Sequence, residues 1–172
     1  MFEKFGEFNS AEELNRAAKA QKDEGDIEAL KNLAKENGID EEDALDYADG
    51  VIEELTTAKL AALGKITVEE KALKLDNVLL DWTGELRAEV SENEGLAIDV
   101  RKKGKALKGY IAALASDGYK HRSTVSKEIV KECSKEIQNV VGNHGFAIGI
   151  PTKKRRKELM YQYYGGTGND RI

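Results

Sequence analysis

Proline occurs once in this chain, at Pro151, while apolar residues recur every three or four positions over most of its length. Proline removes a backbone donor and clashes with the preceding helical turn, so its near-absence lets helices run wherever that period holds. Cap signals divide the pattern. Ser10-Ala11-Glu12-Glu13 is a capping box that opens a helix to about Lys22, with Leu14, Ala17, Ala18 and Gln21 on one stripe and Gly25 at its end. Asp26 caps a second helix carrying Ile27, Leu30, Leu33 and Ala34, closed by Asn37-Gly38. Asp40 caps a third, with Ala44, Leu45, Tyr47, Ala48, Val51, Ile52, Leu55 and Ala58 in register, a bend at Gly50 and an end at Gly64.

Beyond Gly64, Ile66 to Val68 reads as a short extended piece or as the start of the next helix. Helices are expected over 68–75 and 76–91, the latter with Val78, Leu79, Trp82, Leu86 and Val90 inward and Trp82 as a core anchor. A loop at 92–95 precedes a helix over 96–115, kinked at Gly104. Ser123 or Ser126 caps a helix bearing Val125, Ile129, Val130, Cys133, Ile137 and Val140. His144 to Pro151 is apolar and glycine-punctuated, which suits a short strand near 145–150. Thr152 caps a last helix from Lys153 to about Tyr163, and the residues from Gly165 onward have the composition of a disordered tail. The expected fold is mainly α, a compact multi-helix bundle. Its parts are an acidic N-terminal helical subdomain (1–64), a central helical domain (65–142) and a segment (143–172) holding the glycine-rich stretch, a basic helix and the tail.

Several function classes recede on composition. No apolar run reaches the length that spans a bilayer, and Met1-Phe2-Glu3-Lys4 lacks the basic start of a secretory signal, so a cytoplasmic protein that avoids membranes is expected. The single cysteine, Cys133, reads as a small buried hydrophobe. His121 and His144 have no metal-ligand spacing around them, so neither a metal nor another cofactor is expected. Adjacent carboxylates such as Glu53/Glu54 and Glu69/Glu70 point in different directions on a helix, and no nucleophile has a supporting base, which argues against an enzyme. The 101–109 segment lacks Walker A order.

Charge carries the functional signal. Residues 1–100 hold 11 Lys and Arg against 26 Asp and Glu, a net of −15, whereas residues 101–172 hold 16 against 6, a net of +10. Such asymmetry sets long-range fields and hence partners. The Leu33 to Tyr47 stretch has helix-turn-helix spacing, but its second helix would present Asp40, Glu41, Glu42, Asp43, Asp46 and Asp49. Six carboxylates repel phosphates, so this surface suits a basic, nucleic-acid-binding groove on another protein, or is simply a solvated face. The opposite sign concentrates at Lys102, Lys103, Lys105 and Lys108, with Gly104 and Gly109 allowing close approach, and at Lys153, Lys154, Arg155, Arg156 and Lys157 followed by Tyr161. These cations are candidates for phosphate contact, with the alternatives that the basic helix docks on the acidic half or stays in solvent.

Two stretches carry a resemblance. Met1 to Phe8, leading through Leu14-Asn15, Glu24-Gly25-Asp26 and Glu36-Asn37-Gly38-Ile39-Asp40, resembles small proteins of phages and mobile elements of gut Firmicutes. Lys103 to Ile111, with Gly104, Lys105, Leu107, Lys108 and Gly109 as matching positions, resembles a segment of PcfK-like conjugative-element proteins, a group similar to certain anti-CRISPR inhibitors. After about residue 138 the chain departs from that pattern. The resemblance implies an inhibitor whose partner is a type II CRISPR effector nuclease with its guide RNA, blocking target binding or cleavage. The alternative is a DNA-binding accessory protein of a phage or conjugative element. The oligomeric state is left open.

Overall fold

A computed structural model describes residues 2–142 and 144–165. Its elements are α1 (Ala11–Glu24), α2 (Ile27–Glu36), α3 (Glu41–Asp49), α4 (Ala58–Leu73), α5 (Asn77–Glu92), α6 (Glu94–Arg101) and α7 (Leu107–Lys120), followed by β1 (Ser123–Val125), α8 (Lys127–Glu132), α9 (Lys135–Val141), β2 (Phe146–Ile148) and α10 (Lys153–Tyr164). The protein is mainly α-helical, with one small antiparallel sheet that pairs Ser123 with Ile148 and Val125 with Phe146. The tail from residue 166 lies outside the described residues.

Local chemistry sets the first boundaries. Ser10 accepts a hydrogen bond from the Glu13 N–H at 3.2 Å, and the Glu13 carboxylate reaches back to accept from the Asn9 N–H at 2.7 Å, one residue before the cap. Asp26 and Thr152 cap α2 and α10 as their positions predict. Gly50 adopts φ 78° and ends α3 outright, where a bend was expected, because its left-handed conformation lets its N–H close on the Asp46 and Tyr47 carbonyls. Residues 51–57 are therefore non-helical. Thr57 starts α4, a single helix through Gly64 and the Ile66–Val68 stretch.

Gly64 is consequently a contact residue instead of a stop. A Cβ there would lie 2.2 Å from the Asn37 carbonyl oxygen, and one on Gly38 would lie 2.3 Å from the Gly64 carbonyl oxygen. Paired glycines let the α2–α3 turn rest directly on the α4 backbone. The expected loop at 92–95 shrinks to Asn93, which caps α6. The helix expected to kink at Gly104 is instead two, because α6 stops at Arg101 and Gly104 turns at φ 79°. Glu69 of α4 caps the second, accepting from the Leu107 N–H at 2.5 Å.

The sequence Ser-Lys-Glu-Ile occurs at 126–129 and again at 134–137. Each serine caps its own short helix, which divides α8 from α9 where one continuous helix was expected. α8 buries no residue and α9 only Val141, so Cys133 is half-buried at the break, not a core residue.

Two apolar clusters result. Leu14, Ala18, Leu30, Leu33, Ala34, Ala44, Tyr47 and Leu55 join α1 to α3. Trp82, Leu86, Val90, Leu96, Leu107, Tyr110, Leu114 and Tyr164 belong to the larger one, built from α4 to α7 and α10. Trp82 is the expected anchor, 5% exposed, whereas Val78, Leu45 and Val51 face solvent despite their register. Polar groups bind the clusters together. Lys65, 0% exposed, pairs with Glu7 at 2.7 Å and donates to the Lys102 carbonyl, while buried Arg101 donates to Asn37 Oδ1 at 2.7 Å.

Candidate binding surfaces

α2 and α3 pack against each other across the turn at 37–40, with Ala44 and Tyr47 inward. Asn37 is the hinge of the turn: its side-chain amide donates to the Leu33 carbonyl and its oxygen accepts from Arg101. With 44 and 47 committed to the core, the 3.6-residue period sends the acids outward. Asp40, Glu41, Glu42, Asp43, Asp46 and Asp49 are all exposed. Asp40 caps the Glu42 N–H at 3.0 Å, and Glu41 has a loose partner in Lys35 at 3.9 Å. Glu42, Asp46 and Asp49 align along one side, beside exposed Leu45.

The acidic surface continues past Gly50. Val51 is 71% exposed, and Glu53 and Glu54 border a cleft of about 540 Å³ that also involves Tyr47, Glu12, Glu94, Arg16 and Lys19. Acids outnumber bases around that cleft.

The basic helix is arranged differently. Arg156 clasps Glu85 of α5 through two bonds, 2.8 and 2.6 Å, and donates to the Pro151 carbonyl. Arg155 reaches Asp117 of α7 and Glu158, both at 3.0 Å. Lys157 pairs with Glu89 at 2.9 Å, and Tyr161 donates to the same carboxylate at 2.5 Å. The Arg156 bond, with its charge, holds the Glu85 carboxyl below the usual carboxylate range. Three of five consecutive cations are thus neutralised inside the molecule, and only Lys153 and Lys154 stay exposed without an ion pair among the described residues. Two of these partners, Glu85 and Glu89, belong to the acidic half, so α10 docks on it in part.

The other basic segment is also partly committed. Lys102 pairs with Asp99 at 2.5 Å, and Lys105 donates to the Tyr163 carbonyl at 2.7 Å. Gly109 admits the Tyr163 ring, whose hydroxyl would lie 2.2 Å from an added Cβ, so this glycine serves internal packing and not the approach of a phosphate. Lys103 and Lys108 remain exposed, while the Lys103 and Gly104 N–H groups donate to Asn9 and Glu7.

Partners such as Glu85 and Glu89 were readable only as an acidic i,i+4 pair on α5; nothing local says that α10 lands on them. Among the described residues no group of three or more His, Cys, Asp or Glu is placed to hold a metal, and no helix is long and apolar enough to cross a membrane. Comparison with protein-family models, curated proteins and solved structures finds no match for this chain.

Proposed function

We propose that this protein is a non-enzymatic inhibitor whose acidic α3 surface occupies a basic, nucleic-acid-binding groove on another protein, the partner being a guide-loaded type II CRISPR effector. One observation carries the reading: the six carboxylates of residues 40–49 are all exposed, while three of the five consecutive cations of α10 are spent on internal ion pairs. The unbalanced outward field near α3 is therefore negative. Effectors of this class hold guide and target in a positively charged channel and read a short duplex motif with arginines, which is the surface such a field complements. Exposed Leu45 and Val51 among the acids supply apolar contact, so affinity need not come from charge alone.

The same ion pairs weigh against the duplex-binding accessory reading. A helix offering Arg155, Arg156 and Lys157 to phosphates would first have to release Asp117, Glu85 and Glu89. The test is target cleavage by a panel of guide-loaded type II effectors with and without the purified protein. Stoichiometric loss of cleavage with at least one effector is expected. Undiminished cleavage across the panel at micromolar protein would remove the proposal.

A further inference from the structure

The fold gathers cations that the sequence keeps thirty residues apart. Gly118 of α7 and Gly149 meet backbone to backbone, since a Cβ on Gly149 would lie 1.9 Å from the Gly118 carbonyl oxygen. A Cβ on Gly118 would likewise come within 3.1 Å of Pro151 Cδ, and one on Gly149 within 2.9 Å of Arg122 Cβ. The Arg155–Asp117 bond fixes the first turn of α10 against the same end of α7. The C-terminal end of α7 thus lies beside the start of α10. Tyr119, Lys120, His121 and Arg122 share one end of the molecule with Lys153 and Lys154, and all six are exposed.

That patch has an aromatic platform. Tyr119 is 70% exposed, and Arg122 is held over its ring at 4.1 Å from the centroid, its guanidinium also donating to the Tyr119 carbonyl at 2.7 Å. Ile148 and Ile150, 49% and 56% exposed, are apolar surface on the same segment that reaches α10. The nearby acids are engaged within the molecule, Asp117 and Glu158 by Arg155 and Glu85 by Arg156, although Glu85 also feels the charge of Lys153; His121 lies 3.5 Å from Asp117. Lys120, Arg122, Lys153 and Lys154 have no carboxylate within ion-pair distance among the described residues.

We infer that this end of the molecule binds single-stranded nucleic acid, with a base stacked on the Tyr119–Arg122 pair and phosphodiesters on Lys120, Lys153 and Lys154. An exposed aromatic beside unpaired cations fits splayed bases, whose faces are free, whereas a duplex keeps its bases stacked internally. The site is separate from the acidic α3 surface and needs no effector, so its test is independent of the proposed inhibition.

The test is fluorescence anisotropy of labelled 12-nucleotide single-stranded DNA and RNA at rising salt, using the full chain. Engaging three lysines predicts a slope of log affinity on log salt of about −2, from roughly 0.7 per neutralised phosphate. Tyr119→Ala should weaken binding roughly tenfold with little change in slope. Lys153→Glu with Lys154→Glu should weaken it more and flatten the slope. Lys19→Ala with Lys35→Ala, exposed cations of α1 and α2, should change affinity less than twofold. Circular dichroism melts verify that these surface variants fold. The inference is overturned by absence of binding to either strand at low salt, by a duplex binding as tightly as the single strand, or by affinity indifferent to Tyr119 and to the lysine reversal.

Discussion

Arg156 and Glu85 show how one residue pair decides what a charged helix is for. Two parallel bonds join side chains only 15% and 29% exposed, a geometry that holds more strongly than a surface ion pair. Arg156→Ala should cost about 1–3 kcal/mol in urea unfolding at neutral pH, since Glu85 would be left half-buried and unpaired. Because Arg156 lowers the folded-state pKa of Glu85, this stabilisation is present above the ordinary carboxylate value of 4.5 and is lost as pH falls through the lowered value. The penalty of Arg156→Ala should therefore persist at pH 6 and shrink in stronger acid, which paired urea curves across pH would show. Gly64→Ala tests backbone contact at the same scale. Its Cβ would meet the Asn37 carbonyl oxygen, which has no flexible end to move aside, and a loss of about 1–3 kcal/mol is expected in the same assay. An unchanged urea midpoint would refute that close approach.

Among the elements, the starts of α1, α2, α3 and α10 were legible from their own caps, whereas the local caps Thr57, Asn93 and Ser134 passed unread and starts fixed by distant partners left no local mark. Ser10 with Glu13, Asp26, Asp40 and Thr152 mark helix starts by side-chain bonds spanning only a few residues, so residue type and spacing disclose them. Gly64 was misread because glycine both ends helices and permits contact, and only the approach of Asn37 distinguishes the two. The break between α6 and α7 escaped for a related reason: the α7 start is capped by Glu69, thirty-eight residues away. For the candidate surfaces, the exposure of the α3 acids follows from Ala44 and Tyr47 turning inward, whereas Tyr119 joins Lys153 only through the Gly118–Gly149 contact. α8 and α9 are the least supported helices, having six and seven residues and little burial. Amide hydrogen exchange should show 127–141 opening well before α4 to α7, by at least tenfold in protection. Equal protection in both regions would mean that this lobe is held by more than its visible contacts.

At the scale of the whole molecule, the folded charge map differs from the sequence map. The −15 and +10 halves are joined where α5 and α10 meet, through the Arg156–Glu85 and Lys157–Glu89 pairs. Among the exposed charges are the α3 surface with its continuation along Glu53 and Glu54, and the smaller cationic end around Tyr119. If the acidic surface acts by competing for a basic groove, its effect should weaken with salt and depend on charge at α3 far more than on α10. The most direct measurement is binding of a guide-loaded effector to its target DNA in the presence of the protein, comparing the parent with a Glu42→Lys, Asp46→Lys, Asp49→Lys variant whose fold is verified by thermal melting. The expected result is that the parent blocks DNA binding and the folded variant loses at least a hundredfold in potency. A folded variant that inhibits as well as the parent would contradict the role assigned to α3.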